Sequence, residues 1–405
     1  MNKINNRYVI LAFTLLMMLP SSFAYVWSII QPYAMDHFAI GITYGSIPVL
    51  LNMAVFPIGN ILAGILQQRF SLQKVLLAAS LVAILSVFSV SLMQPHQPLL
   101  MVLFYGLIFG LCSGIIYNSM IVTAQKWFPG QLGLITGVML CMIGISGFLM
   151  SPLSSFLLGR LGFSRGFAAL SGVMALTYLP SAFIVRAPSE QQEGITRAAN
   201  ATAKSKEYTI GDVLRSKSYY LLAGSFMLAV SAFMFINPLF VILGMERTLT
   251  HQQAVTGVML GSISQTVGRL VVPLASDRFP QELVLLGNYL LCALSVIAAA
   301  FTGGLLFGLF YIVIAFSYGG FMGLFPAVST RYYGRKNAGS NYGLILLGFS
   351  MAAIATPFIS RAVQATQTGI TLSFIIAGGA CLVGMVLTLT LFKDARLSNN
   401  HHSTV

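Results

Sequence analysis

The chain has 405 residues, of which 57% are hydrophobic and 8% charged; a soluble domain carries about a quarter charged residues, so that class is excluded. The formal net charge of +13 does not point to nucleic acid, because the basic residues are scattered singly between long apolar runs. What remains is an all-α polytopic membrane protein, since continuous runs of 20 or more residues without period-two alternation are about twice the length of an outer-membrane barrel strand.

In chain order, the apolar runs predict twelve spans over residues 8–33, 42–67, 74–93, 99–126, 131–158, 165–186, 217–243, 252–276, 282–302, 304–330, 338–362 and 369–392. The first follows Lys3 and Arg7 and imitates a secretory signal up to Ser22, Phe23 and Ala24. Apolar sequence runs on through Tyr25, Trp27 and Ile30, and removal would leave eleven spans, so the segment is read as retained. In the fourth span Gly106, Gly110 and Gly114 make a ridge that lets another helix approach closely. Tyr117 and Asn118 follow it. Residues 187–216 form the one long polar stretch, too poor in apolar area to pack, with a short surface helix foreseen over its 208–215 end. The predicted organisation is a six-helix bundle over 1–186, a cytoplasmic linker over 187–216, and a second six-helix bundle with a short tail over 217–405.

Pro20, Pro57, Pro152, Pro238, Pro326 and Pro357 fall inside spans, where each removes a backbone donor and marks a bend. Cys112, Cys141, Cys292 and Cys381 also lie inside spans and are read as small apolar residues, so no disulfide, metal or cofactor is indicated. With both termini in the cytoplasm, seventeen Lys and Arg residues fall on that side and four, Arg160, Arg165, Arg247 and Arg361, on the other. That bias sets the orientation, in a bacterial inner membrane. The lipid bilayer is the evident partner, and the chain is read as monomeric.

Arg269 is the charge this count leaves over. A helix over the eighth span puts it eight residues from Asp277, ~12 Å of rise into the hydrocarbon. A central arginine costs roughly 2.5–3.5 kcal/mol to insert, and such residues face a bundle interior or a substrate path. Two readings stand: a guanidinium fork that clamps a carboxylate, or an arginine bonded to carbonyls and glutamines that braces its helix. Gln265, one turn earlier, shares its face. The aromatic candidates for the cavity wall are Tyr25, Trp27, Tyr117, Tyr318 and Tyr342, and Asn118 and Asn237 are polar residues suited to bonds between helices.

The halves echo each other. Gly64, Gln68, Arg69, Phe70, Ser71 and Lys74 after span 2 correspond to Pro273, Asp277, Arg278, Phe279 and Pro280 after span 8, and Lys126-Trp127-Phe128 to Arg331-Tyr332-Tyr333. Twelve spans, a central linker and a degenerate G-x-x-x-D-R-x-G-R loop in each half resemble the major facilitator superfamily. The resemblance implies two six-helix bundles, alternating access and a gating role for Arg69, Asp277 and Arg278. The first loop departs with Gln68 and Ser71, the second with Pro280. Tyr25-Val-Trp27-Ser28, Gly268-Arg269-Leu270, Tyr318-Gly-Gly320, Phe325-Pro326 and Asn341-Tyr342-Gly343 together resemble the oxalate/formate antiporter branch, which is related to the monocarboxylate porters. In that branch the span-8 arginine binds the substrate carboxylate, and Arg269 matches it. The second cation of the oxalate carrier, a span-11 lysine, is Phe349 here. Animal monocarboxylate porters have an aspartate where Gln265 stands and a lysine near Ile29.

The expected function is therefore secondary transport of a small organic anion, a monocarboxylate, by anion exchange or proton coupling, with no enzymatic activity. A proton-coupled drug or amphipath exporter of the same superfamily is the alternative; a non-transporting sensor is a third class.

Overall fold

Lipid offers no partner for backbone N–H and C=O groups, so a chain this apolar closes them within helices. The computed structural model describes residues 6–128, 132–188, 208, 210–334, 338–364 and 369–402, and among them every regular element is helical. In order these are α1 (Arg7–Met18), a 3-10 turn (Leu19–Ala24), α2 (Trp27–Phe38), α3 (Ile42–Arg69), α4 (Leu72–Ser91), α5 (Pro98–Trp127) and α6 (Leu132–Ile184). After the linker come α7 (Ile210–Arg215), α8 (Lys217–Glu246), α9 (His251–Arg278), α10 (Gln281–Ala300), α11 (Gly304–Tyr333), α12 (Ala338–Ile345), α13 (Leu347–Gln364) and α14 (Gly369–His402).

Among the described residues nine helices are long and apolar enough to cross a membrane. The remaining crossings are accounted for by helix α6, which holds two spans, and by two spans that are interrupted. Within α6 the chain turns at Gly162, at φ 74 and ψ −177, a backbone state open to glycine alone. Spans 1 and 11, predicted as continuous, divide into α1, the 3-10 turn and α2, and into α12 and α13. The break in span 1 follows from Pro20, which has no N–H to donate. The carbonyls near it are taken up by other helices: Ser146 Oγ donates to Leu19 O (2.6 Å), Tyr105 Oη to Phe23 O (3.0 Å) and Asn237 Nδ2 to Ala24 O (3.5 Å). The second break is shallow, since Leu346 N still donates to Tyr342 O at 2.9 Å. The other named prolines lie inside continuous helices.

The two halves share their dimensions. Helices α3 and α9 each have 28 residues and end at an extended phenylalanine, Phe70 or Phe279; α4 and α10 each have 20. Their contacts also correspond, with α3 packing on α5 as α9 does on α11. The bundles meet along two equivalent seams, α3 with α13 and α6 with α9. The glycine ridge of α5 does what its spacing predicts: a methyl group added at Gly114 would lie 2.1 Å from Phe56 O. In the second half a methyl at Gly319 would lie 1.9 Å from Gln265 O. Asn118 Nδ2 donates to Asn60 O and Tyr311 Oη to Asn237 Oδ1, bonds between helices as foreseen.

The linker segment 189–207 and the basic residues in it lie outside the described residues. Where the chain resumes, Tyr208 N donates to Tyr333 O and the two rings meet edge to face, ahead of α7. All four cysteines are free, with Cys292 and Cys381 Sγ 3.7 Å apart. Among the described residues no cluster of His, Cys, Asp and Glu could hold a metal.

Candidate functional site

Helix α9 can place an arginine at the seam because its small residues let both neighbours close in. Gly268, next to Arg269, sits so near α11 that a methyl there would lie 2.0 Å from Phe316 O. Arg269 itself is 4% exposed. Its Nη2 donates to Gln265 Oε1 at 2.9 Å, and its Nη1 reaches across the seam to Leu140 O on α6 at 3.3 Å. The Nε has no partner among the described residues. The guanidinium carbon lies 5.8 Å from the centre of the Tyr25 ring, within the range of a cation–π contact. Among the described residues no carboxylate pairs with it: Asp36, Asp212, Glu246 and Asp277 are exposed and Glu282 is half-exposed at the start of α10.

The break in span 1 frees Tyr25 from a helical register and turns it to the midline between the bundles. There Tyr25 Oη lies 3.2 Å from Tyr318 Oη, and the Tyr318 ring stacks on Phe233 at 4.2 Å. Tyr117 and Tyr342 complete the group; with Tyr318 they lie within electrostatic reach of both Arg269 and Tyr25. Six of the seven residues foreseen as substrate-binding are thus brought together. Trp27 is placed elsewhere. It is fully buried within the first bundle, its Nε1 donates to Gly45 O at 2.9 Å and its ring lies 4.5 Å from Tyr105, which ties α2 to α3 and α5. Arg69, Asp277 and Arg278 are exposed at the ends of α3 and α9 and make no ion pair among the described residues.

Beside Tyr25 and Tyr117 lies a small cavity; Arg269, Gln265, Tyr318 and Tyr342 are not on its lining. Ala24 and Tyr25 line it from the broken span, Asn52, Met53 and Phe56 from α3, and Phe109, Ser113 and Tyr117 from α5. Ile143, Met322, Leu346 and Phe349 close it from α6, α11 and the α12–α13 joint. Two polar members are already committed, Asn52 Nδ2 to Tyr105 O (3.1 Å) and Ser113 Oγ to Phe109 O (2.8 Å). Sequence reasoning missed Asn52, Ser113 and Phe233. The first is a lone amide in an apolar span, a signal of the kind that found Asn118 and Asn237. The Leu140 carbonyl leaves no trace in a sequence at all.

Residues 232–241 of α8 are buried throughout, packed on α2, and Ser155 Oγ and His251 Nε2 lie 3.3 Å apart across the α6–α9 seam.

Residues 11–357 match the model of the Major Facilitator Superfamily. The chain is 24% identical over 304 residues to the MFS-type transporter YhjX of Escherichia coli (strain K12), covering 73% of each. It is 23% identical over 278 residues to the oxalate:formate antiporter of Oxalobacter formigenes (68% of this chain, 65% of that one). It is also 23% identical to monocarboxylate transporter 12 of Homo sapiens, across 92% of this chain and 76% of that one. Among solved structures, a POT family transporter in complex with 5-aminolevulinic acid superposes with a TM-score of 0.75 at 13% identity, over 94% of both chains.

Proposed function

The chain belongs to the Major Facilitator Superfamily, whose members matched here are transporters and not enzymes, and from that premise we propose that it carries a small organic monoanion, a monocarboxylate, by alternating access. One observation carries the reading: a guanidinium 4% exposed, with no carboxylate partner among the described residues and an unbonded Nε. A buried charge left unpaired costs several kcal/mol. A carboxylate arriving as cargo supplies both the counter-charge and the missing acceptor, in the bidentate geometry that arginine favours. The names of two relatives, an oxalate:formate antiporter and a monocarboxylate transporter, agree with an anionic cargo.

The number of charges sets the class. Phe349, on the cavity wall, offers no second cation, so a dicarboxylate would bring one charge in unpaired. A monoacid is neutralised in full. The proton-coupled exporter alternative needs an acid in the membrane interior, and every acid whose side chain is described lies exposed or half-exposed. Tyr25, Tyr117, Tyr318, Tyr342 and Gln265 serve as the polar wall around the anion. Arg69, Asp277 and Arg278 act at the cytoplasmic gate, and the protein works as a monomer with both termini in the cytoplasm of a bacterial inner membrane.

The test is a thermal-shift panel of mono- and dicarboxylates on the purified protein and on Arg269→Gln. Stabilisation by monocarboxylates that disappears in the variant is expected. Equal stabilisation of both proteins removes the clamp, and stabilisation by cationic drugs alone favours the exporter. Uptake into proteoliposomes separates a carrier from a sensor.

A further inference from the structure

Arg269 reaches across the seam between the bundles beside a point where their backbones come into near contact. On α6, Leu140 and Gly144 lie one turn apart on one face; on α9, Ser262, Thr266 and Arg269 fall on one stripe. A methyl group added at Gly144 would overlap the Thr266 hydroxyl and lie 2.6 Å from Ser262 O, so the approach needs a residue without a side chain. The adjoining turn carries the bond from Arg269 Nη1 to Leu140 O, 3.3 Å long. About two turns from Gly144 the seam is looser, and a methyl at Gly137 would meet nothing nearer than Leu270 Cδ2 at 3.9 Å. In the other direction the seam runs to the Ser155–His251 contact of 3.3 Å.

We infer that Gly144 is a positioning residue for Arg269, and that the bond it permits is a latch between the bundles. Arg269 is 4% exposed, and the Leu140 carbonyl is its acceptor on α6. A hydrogen bond of 3.3 Å across a seam survives only while the seam is closed, and a rigid-body rotation that parts the two helices by about 1 Å breaks it. The guanidinium keeps its bond to Gln265, which rides on the same helix, and the released Nη1 becomes free for an anion. The same donor therefore serves the seam in one conformer and the cargo in another, which ties the availability of the site to the position of the bundles. The identity of the cargo rests on the carboxylate reading above; the latch does not.

Arginine labelling by phenylglyoxal, read by peptide mass on the full-length protein in nanodiscs without cargo, tests the latch. Arg247 is the internal reference: it is half-buried and donates to Ala299 O and Thr302 O inside the second bundle, away from the seam. In Gly144→Ala the Arg269 label is expected to form roughly tenfold faster or more, the change in exposed population when a hydrogen bond to a charged group is lost, while the Arg247 rate stays the same. In Gly137→Ala both rates are expected to match the unaltered protein. A second variant leaves the packing at Gly144 alone. With Ser155→Cys and His251→Cys joined by a disulfide, confirmed by peptide mass, the seam is held shut, and Arg269 is expected to label several-fold more slowly than after reduction. Arg269 and Arg247 accelerating together in Gly144→Ala, equal Arg269 rates in the two alanine variants, or a cross-link without effect on Arg269 overturns the latch. The carboxylate reading fails separately: acids that do not stabilise the protein in the thermal-shift panel remove the cargo and leave the latch to the labelling rates.

Discussion

Gln265 determines how much of Arg269 is left for a ligand. Its Oε1 holds Nη2 at 2.9 Å without neutralising it, so the guanidinium is oriented but still charged. Gln265→Glu changes one atom and the balance of charge: a resident carboxylate would pair with Arg269 permanently and shut out the cargo. Monocarboxylate binding by that variant is expected to be lost near neutral pH. It should return as pH falls and the new acid is protonated, because only the ionised form competes. Titration calorimetry at several pH values measures this, and binding unchanged near neutrality would show that Arg269 is not the anion site. Arg269→Lys keeps the charge but not the fork. With hydrogen bonds to charged groups worth about 1.5–3 kcal/mol, a loss of roughly 10- to 100-fold in affinity is expected. Trp27→Phe is expected to separate scaffold from site: it loses the bond to Gly45 O and about 1 kcal/mol of stability, read as a lower melting temperature, while the order of preference among carboxylates stays the same. Arg269 was legible in the sequence because a charge in an apolar run has few reasons to be there. Trp27 was misleading for the opposite reason, since a tryptophan near a cavity-lining tyrosine looks the same whether its indole faces a cavity or a backbone carbonyl.

At the scale of the helix, positions without side chains set the geometry. Gly319 lets α11 meet α9 at the backbone of Gln265 itself, with no room for even a methyl group. Gly319→Ala must push the helices apart and move the Gln265–Arg269 pair; overpacking of this kind costs about 1–3 kcal/mol or more. A lower melting temperature together with weaker carboxylate stabilisation is expected. Gly308 lies in the same helix with nothing within 4 Å of an added methyl, and Gly308→Ala is expected to be neutral or slightly stabilising through helix propensity. If both alanine variants behave alike in the melting assay, the close α9–α11 approach is not what holds the site. The glycine spacing and the helix lengths could be read from the sequence, since apolar runs and small-residue periodicity are local signals. The interruption at Tyr25 could not, although Pro20 marked the place. A proline inside a span also fits an unbroken helix, as Pro57, Pro238 and Pro326 show, and what stabilises the break is the set of donors on Ser146, Tyr105 and Asn237, more than 70 residues away in each case.

For the whole molecule, the duplication is geometric but the charge is not duplicated. Counted from the ends of the matched helices, Gly59 and Asn60 in α3 hold the place of Gly268 and Arg269 in α9, and Gly59 crowds Leu111 O on α5 as Gly268 crowds Phe316 O on α11. Asn60 accepts a bond from Asn118 where the other half carries a cation. A carrier built on two matched seams, α3–α13 and α6–α9, must rock about a centre that holds one unpaired charge. With cargo bound, the charge crosses neutralised. Empty, the closing bundles must strip the remaining water from Arg269 with nothing to replace it, a penalty of about 3–5 kcal/mol for a buried charge without a partner. On the carboxylate reading proposed above, return of the empty carrier is expected to be slower by about two or more powers of ten, which predicts anion exchange. In proteoliposomes loaded with a monocarboxylate that the purified protein binds, labelled uptake is expected to run about 100-fold faster than into empty vesicles. The rate should vary little between pH 6 and 8, because the histidines and acids whose side chains are described, His37, His96 and His251 among them, are none of them buried. Uptake that is equally fast into empty vesicles and rises with external acidity would assign the coupling to a proton, and would place the carrier group outside the residues described.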